Sequence, residues 1–248
     1  MNRLIFNRHE LKYLVDWKTY NRLIRQIAQF TNPDSFSGEN NVYSILSLYY
    51  DNANYDCYYS KIDGEKIRQK LRMRWYLSDD ENNKTVYLEL KKKNNNQVLK
   101  RRLKMDTDIA CKFLEGIIHP DKICKDDKEI SIAKEILYYY KMMRLKPQIY
   151  VHYLREAHYG RFENGLRITF DKKVSGNSWS ARGFALEKGK YIFNPFYYMV
   201  MEIKFFNSMP RWLINILNNN NLSERRLSKY CMCIEAAKLL KLNLKEEM

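Results

Sequence analysis

The chain has 248 residues, 45% of them hydrophobic, enough for one large domain with a real core or two small ones. Its 44 Lys and Arg against 29 Asp and Glu give a net charge of +15, which favours nucleic acid, anionic lipid or a phosphate polymer as partner. The five cysteines, Cys57, Cys111, Cys124, Cys231 and Cys233, are odd in number, widely spaced and without a CxxC pair, which excludes a disulfide frame and a zinc site and fits the reduced thiols of a cytosolic chain.

In chain order, Leu4 to Leu14 alternates as a strand, with Arg8, Glu10 and Lys12 on one face and His9, Leu11 and Tyr13 on the other. Asp16 is the expected N-cap of a helix from Trp17 to Phe30, with Tyr20, Leu23, Ile24 and Ile27 as its apolar stripe. Pro33 and Gly38 mark a loop, Val42 to Asp51 a strand, Tyr55 to Ile62 a short helix, and Asp63-Gly64 a turn.

From Lys66 to Lys104 three strands follow as a meander, joined by polar turns at Ser78 to Lys84 and Asn94 to Asn96. Arg68, Lys70, Arg72 and Arg74 share a face of the first; Tyr87, Glu89, Lys91 and Lys93 share a face of the second; Lys100, Arg102 and Lys104 share a face of the third. Alternating charge is also what the wet face of an ordinary antiparallel sheet looks like. A wet face, however, usually mixes signs, and like charges directly opposite each other on paired strands repel. A polyanion threaded between these strands would remove that cost. The lone Glu89 among the cations suits a site that holds phosphate together with a divalent metal.

Helices are expected over Thr107 to Ile118 and Lys128 to Arg144, and strands resume at Pro147. Tyr153 and Arg155 share one strand face, as do Arg167, Thr169 and Asp171 on the next. Gly176 to Gly183 reads as a loop, Ala185 to Tyr191 as a stretch with a short strand, and Tyr198 to Phe205 as a strand with Glu202 and Lys204 on one face. Pro210 opens a helix around Trp212 to Leu217, and a last helix is expected from Ser223 to Leu240, carrying Ser228 and Lys229. No internal repeat or linker appears, so residues 1–248 parse as a single domain. No apolar run reaches the roughly 18 residues needed to span a bilayer, and no secretion signal opens the chain. A cytoplasmic protein is expected, with any place at the inner face of a membrane supplied by a partner in trans.

These pieces, in order, resemble the VTC domain, the polyphosphate polymerase branch of the triphosphate tunnel (CYTH-like) metalloenzymes. The resemblance rests on RHELKY at 8–13, SLYYD at 47–51, KIDGEKIRQKLRMRWY at 61–76, YLELKKK at 87–93, VLKRR at 98–102, YLREAHY at 153–159, GLRITFD at 165–171, VMEIKF at 200–205 and LSKY at 227–230. It implies an α+β fold: a closed antiparallel β-barrel of about eight strands forming a tunnel, with flanking helices. It also implies roles. Arg72, Arg74, Lys91, Arg155 and Arg167 would act on the transferring phosphates, and Lys12, Lys100, Tyr153, Lys204, Ser228 and Lys229 would bind nucleotide triphosphate or polyphosphate. Glu202 would hold the divalent metal, Mn2+ or Mg2+, with Glu89 and Glu10 as secondary acidic candidates.

The implied reaction moves the γ-phosphate of ATP onto a growing polyphosphate chain or a pyrophosphate primer. Hydrolytic and cyclase relatives carry ExExK on the first strand, whereas the first of those positions is Arg8 here, which favours the polymerase branch. Two alternatives share the residues: a tripolyphosphatase or nucleoside triphosphatase in the same tunnel, and a non-catalytic polyphosphate-binding subunit. A nucleic-acid module is disfavoured, since no zinc-finger spacing or RNP-like platform is present and Glu89 and Glu202 have no role in one. His9, His119, His152 and His158 lack metal-ligand spacing, and Lys92, Lys93, Arg101 and Lys104 read as ordinary surface or funnel charges.

Overall fold

The computed structural model describes residues 8–34, 41–77, 84–95, 97–180 and 189–237. The expected start of the first strand at Leu4, the loop at Gly38, most of the turn after Ser78, and the end of the last helix at Leu240 lie outside them.

The first strand, β1 (Arg8–Asp16), runs into α1 (Trp17–Ile27), and Asp16 caps that helix as expected, accepting from the Thr19 amide at 2.8 Å. A short β2 (Thr31–Pro33) follows, then β3 (Val42–Asp51), α2 (Asp56–Ile62) and the basic meander β4 (Ile67–Leu77), β5 (Thr85–Asn94) and β6 (Gln97–Asp106). Helix α3 (Thr107–Leu114) stops short of Ile118 because Gly116, at φ +82°, turns the chain out of the helix. Helix α4 (Asp127–Met142), β7 (Lys146–Gly160), β8 (Arg167–Ser178), β9 (Lys190–Tyr191), β10 (Tyr198–Phe206), α5 (Arg211–Asn219) and α6 (Lys229–Ala236) complete the order.

All ten strands join one antiparallel sheet in the order β1-β10-β8-β7-β3-β4-β5-β6, with β2 added beside β7 and β9 beside β8. Among the described residues no backbone ladder joins β1 to β6, so the expected closed barrel is not what the hydrogen bonding builds. The sheet instead curls far enough for inward side chains of its two halves to meet: Lys91 Nζ on β5, one strand in from the edge, lies 3.4 Å from Glu10 Oε2 on β1.

The outer face carries the apolar core in two parts. One packs Leu48, Leu71, Met73, Leu88 and Leu90 under Phe113 of α3 and Ile136 of α4. The other packs Ile168, Phe170, Met201 and Ile203 under Leu23 and Ile27 of α1 and Leu213 of α5. Strand alternation therefore sends apolar residues outward to the helices and polar ones into the bore. Lys92 and Arg101 point outward, both to Glu135 of α4, which agrees with their reading as surface charges.

Two departures come from one place. Opposite Tyr153 of β7, strand β8 carries two residues, Lys173 and Val174, and Lys173 sits at φ +51°. This bulge switches which residues face inward, from Arg167, Thr169 and Asp171 before it to Val174 and Gly176 after it. Gly176, expected in a loop, is thus strand, and it is glycine for a reason: a Cβ there would lie 2.6 Å from Cys233 Cβ of α6. Helix α6 also begins later than expected, because residues 223–228 run outside any helix and Ser228 caps the helix through the Cys231 amide. The helix plugs one end of the bore, packing Tyr230, Cys231, Cys233 and Ile234 against Ile45, Ile149, Val151 and Val174.

No helix among the described residues is long and apolar enough to cross a membrane. The plug is tied down by Asp51, fully buried at the end of β3, which accepts from the Cys57 and Tyr58 amides at 2.9 and 3.0 Å and from the Tyr230 hydroxyl. Asp51→Ala leaves those donors buried without an acceptor and should cost about 3 kcal/mol, seen as a lower urea midpoint at unchanged slope. Asp51→Asn, which keeps one acceptor oxygen, should cost about half as much.

Candidate functional site

Register places the inward residues in rows. One row crosses four strands as Tyr49, Arg72, Glu89 and Arg102. Glu89, only 1% exposed, takes Arg72 Nε on Oε2 at 2.8 Å, and Arg102 Nε and Lys100 Nζ on Oε1 at 2.6 Å each. Arg72 also donates to the Tyr49 hydroxyl at 2.8 Å. Burial alone would raise the Glu89 pKa, but Arg72, Arg74 and Lys100 together hold it far below the usual carboxylate range. With both oxygens engaged, Glu89 orients the arginine pair.

The neighbouring row, Lys70, Lys91 and Lys100, holds three lysines side by side. Lys100 turns back to Glu89, Lys91 reaches across to Glu10, and Lys70 lies 4.5 Å from the Tyr230 ring and 3.7 Å from Cys231 Sγ.

The other half of the bore is built on two acidic centres. Asp171 receives Arg155 in a bidentate pair at 2.6 and 2.7 Å and Lys229 Nζ at 2.6 Å. Glu202 receives Lys229 at 2.5 Å on Oε1, and Arg155 and Lys204 at 3.5 Å each on Oε2, with Lys12 at 3.9 Å. Glu10 completes the set, 3.1 Å from Lys12 and 3.8 Å from Lys204. Burial pushes both glutamates up, yet Lys229, Lys204 and Lys12 hold Glu202, and Lys12 holds Glu10, well below the ordinary range. Lys204 shows the converse: burial drives its ammonium down to about 8 despite Glu202 and Glu10 beside it.

A cavity of about 150 Å³ results. It gathers Lys12, Arg72, Arg74, Lys91, Tyr153, Arg155, Lys204, Ser228 and Lys229 with Glu10 and Glu202, all residues expected from the sequence. Lys100, Glu89 and Arg167 do not line it. Lys100 and Glu89 stand behind Arg72, and Arg167 lies toward the far mouth, bonded to Asp34 at 3.2 Å and to the Tyr43 hydroxyl at 2.8 Å. The cavity adds Tyr49 and Tyr230, roles no sequence signal separated from packing, and Lys70, which alternation already put on the face of Arg72 and Arg74; Asp171 underlies it through Arg155 and Lys229. Among the described residues two buried polar atoms on β8, Arg167 Nε and Thr169 Oγ1, have no hydrogen-bond partner.

A divalent cation can be weighed against the same donors. Among the described residues no group of three or more acidic, His or Cys side chains converges into a protein-only cage. The paired carboxylates of Glu202 and Glu10 fit the other arrangement, in which one or two carboxylates and the substrate's phosphate oxygens share the ion.

Residues 7–238 match the family described as the VTC domain. The chain belongs to that family. A curated relative, vacuolar transporter chaperone complex subunit 4 of Schizosaccharomyces pombe (strain 972), is 25% identical over 215 residues, covering 71% of this chain. This VTC domain spans 29% of that protein's length. A solved structure from Hippeastrum, classed with the adenylyl cyclases and described as having a dominant triphosphatase activity, superposes at TM-score 0.53 and 16% identity over 94% of this chain and 98% of its own. A Pyrococcus horikoshii OT3 protein covers 92% of this chain and 98% of its own at 16% identity and TM-score 0.48. The Hippeastrum superposition extends the likeness of fold over nearly the whole VTC domain.

Burial lowers the ammonium pKa of Lys204, and of Lys100 behind Arg72, to about 8, so an anion such as tripolyphosphate bound beside them should lose affinity by up to about tenfold between about pH 7 and pH 9. Lys204→Arg, charged throughout, should lessen that fall in calorimetric titrations, leaving only the part due to Lys100. A wild-type profile that already matches the arginine variant would remove Lys204 from anion binding.

Proposed function

We propose that this VTC domain is a metal-dependent polyphosphate polymerase that transfers the γ-phosphate of ATP onto a growing inorganic polyphosphate chain inside the bore. The observation that carries the reading is the cationic lining itself, contributed by strands from both halves of the sheet and by α6. Phosphoryl transfer asks a protein chiefly for positioning and electrostatic stabilisation, since charge spreads over the equatorial oxygens of the moving group.

Arginine forks suit those oxygens, and lysines suit a polymer as point charges. Arg72 is held by Glu89 and Tyr49, Arg74 by Ser47 and Tyr153, and Arg155 by Asp171, so each guanidinium is oriented before a ligand arrives. Lys12, Lys91, Lys204 and Lys229 supply the remaining charge, and Ser228 and Tyr153 adjoin them as neutral contacts. Glu202, with Glu10 beside it, would hold Mn2+ or Mg2+, which when bound would neutralise phosphate charge as a Lewis acid. The terminal phosphate of the acceptor chain or of pyrophosphate attacks in line and ADP leaves, so no side chain has to serve as nucleophile.

The reading has one rival that an observation favours: hydrolysis in the same bore, the activity described for the Hippeastrum protein. Arg8 speaks against it. In the position where the resembled hydrolases carry a carboxylate, Arg8 is exposed and lies 5.7 Å from the Phe206 ring. The named relative is a complex subunit, which supports a partner in trans that receives the emerging chain at a membrane.

Purified protein given ATP, Mn2+ and a trace of pyrophosphate should yield a ladder of polymer with matching ADP on a gel; ADP and free phosphate without polymer would make it a hydrolase. Arg72→Ala and Glu202→Gln should each lower polymer formation by about a thousandfold. Glu202 is buried among four cations, so its amide variant should also bind tripolyphosphate at least as tightly as wild type in metal-free buffer. Wild-type turnover by folded Glu202→Gln with metal present would sink the metal assignment.

A further inference from the structure

The two ends of the bore differ in chemistry. On β4, Tyr76 lies two residues beyond Arg74 on the same face, about 7 Å further along the strand. Tyr87 is the register partner of Arg74 on β5, and Tyr159 is the register partner of Arg167 between β7 and β8. Tyr43 opens β3 on the same inward face. The rings form a chain, Tyr43 to Tyr76 at 6.1 Å between centroids and Tyr76 to Tyr87 at 5.6 Å.

Two arginines stitch this rim to the phosphate-facing wall. Arg102 sits 4.3 Å from the Tyr87 centroid and donates to the Tyr76 hydroxyl at 3.3 Å. Arg167 sits 5.0 Å from the Tyr159 centroid and donates to the Tyr43 hydroxyl at 2.8 Å. Although it packs against two other rings, Tyr76 keeps 37% of its surface exposed, and Tyr159, under Arg167, keeps 41%. Contiguous exposed aromatic surface at the mouth of a cavity marks a contact site. At the opposite end the inward positions of the same two strands are Arg68 and Lys93, directly paired, with charge in place of rings.

We infer that the tyrosine rim is a base-stacking subsite: it takes the nucleobase of a nucleoside triphosphate whose phosphates run past Arg74 and Arg167 into the bore. The inference rests on the reading of the bore as a nucleoside triphosphate site and adds what holds the part of the substrate that carries no charge. Rings and planar guanidinium groups stack on any base, because every base has a π-face. The rim therefore favours purine over pyrimidine nucleotides through stacking area, and treats ATP and GTP nearly alike.

The test is calorimetric titration of the full chain with ATP and, separately, with inorganic tripolyphosphate, which offers the phosphates without a base. Tyr76→Leu should weaken ATP by about tenfold while leaving tripolyphosphate unchanged. Tyr76→Phe, which keeps the ring and loses only the hydroxyl that Arg102 uses, should retain the wild-type ATP affinity. Tyr159→Leu, at the other exposed ring, repeats the test at a separate position. If both leucine variants weaken the two ligands equally, or weaken neither, the base subsite is overturned. Wild-type protein that binds tripolyphosphate but not ATP overturns the subsite alone; binding of neither overturns the reading of the bore as well.

Discussion

The structure depends on four inward-facing carboxylates set among cations, three of them buried. Glu10, Glu89, Asp171 and Glu202 stand on four different strands, and each is shared by two or more Lys or Arg side chains. Without them the inward rows of lysine and arginine would put like charges face to face in a medium of low dielectric, where repulsion between close pairs exceeds several kcal/mol. Such pairs contribute little net stability, because desolvation consumes most of the Coulomb gain. Stability comes from the apolar clusters under the helices; the carboxylates make the bore compatible with folding. They do so incompletely, and the surplus of positive charge is the field a polyanion meets.

That division explains why the scaffold and the site can be described almost separately. Alternation along each strand sends Leu71, Met73, Leu88 and Leu90 to one side, under α3 and α4, and Lys70, Arg72 and Glu89 to the other. Helix α6 is the exception, since it packs inside the curl and delivers Lys229 to Asp171 and Glu202 from its first turn. Gly176 and Asp51 are then part of the site at one remove: the first lets the helix approach β8, the second anchors its Tyr230.

Much of this was legible in the residues. Period-two alternation at Arg68 to Arg74 and at Tyr87 to Lys93 identified the inward faces, and Asp16 announced α1 by its chemistry. What stayed hidden depends on contacts distant in the chain. The bulge at Lys173 is carried by a lysine at positive φ, which no local pattern announces, and it alone turns Gly176 from a loop residue into a packing site. Asp171 was visible as an inward position, but its grip on both Arg155 and Lys229 needs β7 and α6 in place. Nor could alternation tell a sheet closed by a ladder from one that curls and stops, because both place the same residues inside.

The side on which, among the described residues, no ladder joins the two halves of the curled sheet is unlike the rest of the wall. Backbone ladders are indifferent to ionic strength, whereas the contact between Lys91 and Glu10 joins side chains that are 44% and 27% exposed and is weakened by dissolved salt. The wall is consequently held by an ion pair sensitive to the medium along one line and by backbone ladders everywhere else. A polyanion bound in the bore would add its own charge to that medium, and Lys91 is the wall cation for which it would compete on the weakest terms.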